Sequence, residues 1–175
     1  AGIAWGMSGA CGQYLMAHGM GVLALTDLRL IISGVCLLAM SYVFTRGQLV
    51  AFFKEKKNYA KITLFAFIGL FMNQFTYLEA IHLSNAGTAT VLQYLCPVII
   101  LVYMCLKNRT TPTVSEVTSI VLAILGTFII ATHGQLNQLS VTPLGLFWGI
   151  FSGFTYAIYI MLPIKLIQEY GSLTV

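Results

Sequence analysis

The stretch GLFWGIFSGFTYAIYIML, Gly145 to Leu162, runs without a single charge and opens on a phrase already used at the start of the chain: GIAWG, Gly2 to Gly6. Both phrases place two glycines four residues apart with a tryptophan before the second. Lipid offers no water to backbone N–H and C=O groups, so an uncharged run of about 20 residues spans a bilayer as a helix. Five similar runs precede it. The expected spans are about 1–17, 28–45, 62–81, 86–106, 117–132 and 141–164. Strands are excluded because the runs lack the alternation of a membrane barrel.

Composition agrees. The chain is 58% hydrophobic and 8% charged, with a mean hydropathy of +0.87. A soluble domain carries about a quarter charged residues, so lipid must be the main solvent here. The fold expected is an all-α integral membrane protein. Nucleic acid is not an expected partner, because the net charge of +4 matters only through where the charges sit. Cys11, Cys36, Cys96 and Cys105 lie in apolar runs without zinc-ligand spacing and read as small buried side chains. No metal or cofactor is expected.

The connections alternate sharply in charge. Arg46, Lys54, Lys56, Lys57 and Lys61 lie between the second and third runs, Lys107 and Arg109 between the fourth and fifth, and Lys165 after the sixth. The other connections, 18–27, 82–85 and 133–142, hold no Lys or Arg. Eight of the nine basic residues therefore share one side, with Arg29 the exception. The positive-inside rule makes that side cytoplasmic and puts the N-terminus there. Asn108-Arg109-Thr110, a formal glycosylation acceptor, falls on the wrong side for that modification. KEKK, Lys54–Lys57, reads as a topology signal after a short interfacial segment.

Five spans separate GIAWG from GLFWG, so the second phrase enters the membrane from the opposite face. That is the plan of inverted-repeat transporters. Positions 2, 6, 9 and 13 share one helix face, as do 145, 149, 152 and 156, so each helix is expected to carry a small-residue stripe for close packing. The expected division is 1–140 as a first repeat of five helices and 141–175 as the start of a second, in a complete protein of ten spans. The chain opens on Ala1 within an apolar run, so an upstream initiator Met is expected.

Several stretches resemble the EamA-type transporters of the drug/metabolite transporter superfamily. They are the WG in the first helix of each unit, DLRLIISG (Asp27–Gly34), ILGTFII around Gly126, and YLEAIHLSNAGTATVLQYLCPVII (Tyr77–Ile100), with its small-residue turn and mid-span Pro97. The resemblance implies a secondary transporter of small metabolites, amino acids or related neutral or zwitterionic compounds, by export across the plasma or inner membrane. It also implies a central cavity lined by helices of both repeats. The partners implied are the metabolite, the lipid bilayer and the remaining C-terminal repeat, with a homodimer as an option. Many such transporters have a Glu soon after the fourth helix, where this chain reads LKNRTTPTVSE, with Glu116 further on.

Polar groups inside a span are expensive and mark candidate function. Asn73 and Tyr77 share a face of the third span, and Gln93, Tyr94 and Pro97 sit together in the fourth. Pro97 has no N–H for the carbonyl one turn back, near Gln93. With Trp5 as a wall, these form the expected substrate cavity; interhelical hydrogen bonding is the alternative role for the amides. Glu79 is the acid within a span and the candidate for proton coupling, an interfacial carboxylate being the alternative. Asp27 is expected to cap the second helix, with Arg29 reaching the interface or a polar neighbour. With no basic residue expected at mid-depth, neutral or zwitterionic cargo is favoured over phosphorylated sugars. His18, His82 and His133 come from three loops. No catalytic residues are expected, since neither a nucleotide-binding loop nor a nucleophile–base pair is present. A membrane enzyme or a structural subunit are the alternative functions.

Overall fold

A computed structural model describes residues 2–132, 142–172 and 174–175; the side chain of Trp5 and the whole of His133 lie outside what it describes. The chain is an all-α integral membrane protein. Its helices are α1 (Gly2–Ala17), α2 (Val22–Phe44), α3 (Arg46–Lys54), α4 (Lys56–Leu64), α5 (Met72–His82), α6 (Ala86–Gln93), α7 (Cys96–Asn108), α8 (Val114–Thr132), α9 (Pro143–Met161) and α10 (Ile164–Tyr170), with a π-helical stretch at Phe65–Phe71 joining α4 to α5. Among the described residues, four helical stretches are long and apolar enough to cross a bilayer: Val22–Phe44, Asn58–His82, Ala86–Asn108 and Pro143–Tyr170. Val114–Gly126 is a shorter apolar one, and α1 has 16 residues.

Caps set the boundaries. Asn85 opens α6 by accepting from the Thr88 N–H at 2.8 Å, and Thr142 opens α9 by accepting from the Gly145 N–H at 3.0 Å, with Pro143 in the first turn. At α8, Thr113 and Glu116 cap each other. The Thr113 N–H and hydroxyl donate to Glu116 Oε2 at 2.8 and 2.7 Å, and the Glu116 N–H returns to Thr113 Oγ1 at 3.3 Å. Glu116 is thus accounted for as a capping residue. The expectation for Asp27 is corrected: α2 begins at Val22 behind Gly21, so Asp27 lies exposed inside the helix and caps nothing. The apolar run Val22–Leu25 continues the helical pattern upstream of the first charge, which is why the charge misplaced the start.

The two ends of the bundle separate as the charges require. At one end, Gln13 Oε1 of α1 accepts from the Ala86 N–H at 3.2 Å, and Thr142 donates to the Leu83 carbonyl at 3.3 Å. At the other, basic end, α3 and α10 meet through Phe52, Leu166 and Tyr170, with the Phe52 and Tyr170 rings edge-on at 5.1 Å. The segment before KEKK is therefore a short helix docked on the bundle. The Asn58 amide, fully buried, donates to the Phe52 carbonyl at 3.3 Å and ties α4 to α3.

The centre of the packing is α9. Its most extensive contact is with α5, then with α6, and it also touches the π-helical stretch and α7. Gly145, Gly149, Ser152 and Gly153 are buried along it. A Cβ at 149 would overlap Leu92 Cδ1 and lie 2.9 Å from Leu92 Cβ; one at 153 would meet the Leu92 and Gln93 carbonyl oxygens at 3.4 and 3.6 Å. In α1 the stripe differs from the expected one. Gly9, Gly12 and Met16 are buried, while Gly6 and Gln13 are exposed and nothing lies within 4 Å of a Cβ at Gly6. The cysteine expectation is also corrected, since only Cys96 is buried and Cys11 and Cys36 are exposed. The outer face of α2 carries exposed Ile31, Val35, Leu38 and Val43, as a lipid-facing helix should.

Two outcomes follow. Gly149→Ala is expected to destabilise the full-length protein by about 1–3 kcal/mol through overpacking, while Gly153→Ala, in ordinary contact, shifts unfolding by less than about 0.5 kcal/mol; reversible unfolding in detergent micelles distinguishes them. Separately, the Thr113 hydroxyl and N–H hold the exposed Glu116 carboxyl below its usual range. That contribution is present at neutral pH and is lost as pH falls through the lowered value. Thr113→Ala should therefore raise the Glu116 pKa and speed amide exchange at residues 114–117, both readable by NMR.

Candidate functional site

The helix break in the fourth span organises the interior. α6 stops at Gln93, and α7 starts at Cys96 with Pro97 in its first turn. Tyr94 and Leu95 form the turn, with the Leu95 N–H on the Leu92 carbonyl at 3.2 Å. Pro97 cannot satisfy the Gln93 carbonyl. That oxygen instead faces the bare Gly153 surface of α9. Beside this break, α5 contributes Asn73, Thr76 and Tyr77, one turn of buried polar groups.

Each is claimed by a neighbouring helix. Gln93 Nε2 donates to Asn73 Oδ1 at 3.2 Å, Thr76 and Thr155 hydroxyls meet at 2.9 Å, and the Tyr77 and Thr90 hydroxyls meet at 3.0 Å. The seam stitches α5 to α6 and to α9. Asn73, Thr76, Thr155 and Gln93 are each no more than 4% exposed. This is the interhelical role weighed for the two amides, which makes them walls and struts rather than open groups.

Two cavities flank the seam, and the expected site residues divide between them. A cleft of about 1010 Å³ lies between α7, α8 and α9. Tyr94, Cys96, Pro97 and Tyr156 line its interior, while Asn108, Thr113 and Glu116 line one end. A smaller crevice of about 360 Å³ lies between α1, α2 and α5, and Tyr77 lines it together with Ser8, Gln74 and Arg29. The structure thus brings Tyr94 to Pro97, and Asn73 to Gln93, but puts Tyr77 on the other side of the seam from Tyr94. Glu79 is half-buried, three residues before the end of α5. Trp5 sits on α1, and its side chain is outside the described set.

The second tryptophan is described. Trp148 packs edge-on against Phe75 at 5.7 Å and adjoins the core of Met16, Leu25, Tyr77, Leu78, Ala80, Ile81 and Ala89. It wedges between α9 and α5 as a packing residue.

Sequence reasoning missed two elements. One is Thr155, whose partner Thr76 is 79 positions away, so no local pattern announces the pair. The other is Arg29. It was expected to reach the interface or a polar neighbour, because it stood near the expected start of the span at 28, and its depth was missed. With α2 starting at Val22, Arg29 falls two turns in, half-buried, and its Nη2 donates to Ser8 Oγ of α1. By the same shift Arg29, expected near the end of its span, lies further inside the helix. The histidines stay apart. His18 bonds the Tyr14 carbonyl through Nδ1 at 2.8 Å, and no three His, Cys, Asp or Glu side chains group as metal ligands among the described residues.

Comparisons with known proteins agree with this architecture. The EamA-like transporter family matches residues 1–132. A Salmonella typhimurium (strain LT2) protein described as "Uncharacterized inner membrane transporter YicL" is 39% identical over 176 residues, covering all of this chain and 58% of that protein. The chain therefore spans somewhat over half the length of the relative it matches. No solved structure matches it.

The seam yields a quantitative expectation. Asn73→Ala and Gln93→Ala should each destabilise the protein, because the partner amide is left buried and unpaired. Their coupling in a double-mutant cycle should be about 0.6 kcal/mol, the average for side-chain hydrogen bonds inside membranes, and no more than about 1.7 kcal/mol. Strictly additive losses would mean that the two amides do not bond.

Proposed function

The chain belongs to the EamA-like transporter family, and from that premise we propose that the full-length protein is a secondary transporter of small metabolites, working by alternating access and exporting amino acids or related compounds. Residues 1–140 form its first repeat, and 141–175 begin an inverted second one. The N-terminus is cytoplasmic, in keeping with the lysines and arginines gathered in α3 and α4, at the end of α7 and just after it, and in α10.

The observation that carries this reading is the seat of α9. Its small-residue face lies against the broken α6–α7 helix and against α5, at a seam of uncharged hydrogen-bonding groups. A broken helix facing a helix of the other repeat is where secondary transporters collect their sites. The cleft lined by Tyr94 and Pro97 opens beside that break, and a rocking of α9 with its repeat would change access to it. A membrane enzyme would need a nucleophile–base pair or metal ligands at a shared depth, and the family points to transport instead.

Counterflow in proteoliposomes of the full-length protein tests this. Preloaded neutral amino acids should drive saturable uptake of the labelled compound. Tyr94→Ala should lower the flux at least about tenfold, the loss of roughly 1.4 kcal/mol of transition-state interaction, without unfolding the protein. Glu79→Gln should leave exchange intact while removing accumulation driven by a pH gradient. Absence of saturable flux across a broad metabolite panel would overturn the reading.

A further inference from the structure

Arg29 is the one Lys or Arg within the six expected spans, and a charge placed there is costly unless it is used. The crevice it lines, about 360 Å³, contains Ser8, Gly9, Gln74, Leu30 and Tyr77, and no carboxylate among the described residues. Nη2 donates to Ser8 Oγ. Nη1 is sealed from solvent and finds no hydrogen-bond acceptor among the described residues. It lies against the bare backbone of Gly12, where a Cβ would be 3.7 Å away. A guanidinium has five N–H donors in a planar fork and stays charged. One serine oxygen satisfies a small part of that capacity, and Tyr77 already shares its hydroxyl with Thr90.

We propose that this crevice binds the carboxylate of a small metabolite, with Arg29 as the charge partner and Ser8 and Gln74 as polar companions. The choice of carboxylate follows from the count of charges. One cation with neutral neighbours balances a monoanion, whereas a phosphate dianion calls for a second positive group. Leu30 and Ile32 supply an apolar wall for the rest of the ligand. The inference deepens the transporter reading by naming the anionic group of the cargo, and it rests on that reading for its biological meaning, though its test measures binding alone.

Benzoate, its neutral isostere benzamide and inorganic phosphate serve as probes for the full-length protein in lipid nanodiscs, with the thermal unfolding midpoint as readout. Benzoate should raise the midpoint saturably and benzamide should not. Phosphate should act at least about tenfold more weakly than benzoate. Arg29→Gln should weaken the benzoate response at least about tenfold, and Arg29→Lys should keep part of it, as a point charge without the fork does. Equal responses to benzoate and benzamide, a tighter response to phosphate, or an unchanged response in Arg29→Gln would each overturn the proposal. Should Arg29→Gln fail to fold, phenylglyoxal labelling of the parent protein decides the matter. Benzoate must slow modification of Arg29, seen by peptide mass spectrometry, and no protection overturns the site. Binding through Arg29 without any flux would remove the transport reading and leave the site. Flux indifferent to Arg29 would do the reverse.

Discussion

Everything in this bundle depends on how closely α9 can approach α6. Inside lipid the hydrophobic effect does not press helices together, so association relies on packing and on hydrogen bonds between helices. Gly149 removes the side chain that would hold α9 away from Leu92, while Gly153 lies in ordinary contact distance of the carbonyls at the end of α6. Once the backbones are that near, short hydroxyl side chains can reach across, and Thr155 meets Thr76 at 2.9 Å. A larger residue at 149 would both overlap Leu92 and lengthen that bond. Packing and polar pairing are one constraint here, set by the missing methyl group at Gly149.

The same approach explains how the fourth span tolerates its proline. Pro97 costs a helical hydrogen bond and breaks the helix after Gln93. A free carbonyl in hydrocarbon would be costly, but the Gln93 oxygen is turned to protein at Gly153. The Gln93 side chain is meanwhile held by Asn73. The break is therefore braced on both sides, by α5 and by α9. A braced break can remain in one place while the helices around it move, which is the mechanical property an alternating-access site needs. The π-helical stretch at Phe65–Phe71 places a second irregularity in the adjacent span, its Phe65 ring stacked on Tyr159 of α9 at 5.7 Å.

Much of the fold was legible in the sequence, because the bilayer reduces the choices to apolar runs and the charges between them. The all-α membrane class, the membrane-length apolar helices and the break at Pro97 all follow from residues close together in the chain. What failed was the start of α2. Charges at Asp27 and Arg29 looked like the edge of the membrane, while the helix in fact begins behind Gly21. That error put Arg29, the one charged group in the described lining of the α1–α2–α5 crevice, at the edge of its span. The site itself was half legible. Asn73, Tyr77, Gln93, Tyr94 and Pro97 stand out as polar or helix-breaking residues in apolar runs. Which of them face a cavity and which bond one another depends on helix rotation, and single residue types do not encode that.

The two glycine–tryptophan phrases end in unlike surroundings. In α9, Gly149 is pressed on Leu92 and Trp148 is wedged against Phe75. In α1, no described residue lies within 4 Å of the missing Cβ of Gly6, and close packing is seen at Gly9, against Tyr77, and at Gly12, against Leu78. A phrase that recurs for packing in its own repeat would be expected to meet like neighbours in each copy, and these do not. Both helices nonetheless converge on the same partner: α9 packs most extensively on α5, and α1 reaches the same helix through Gly9 and Gly12.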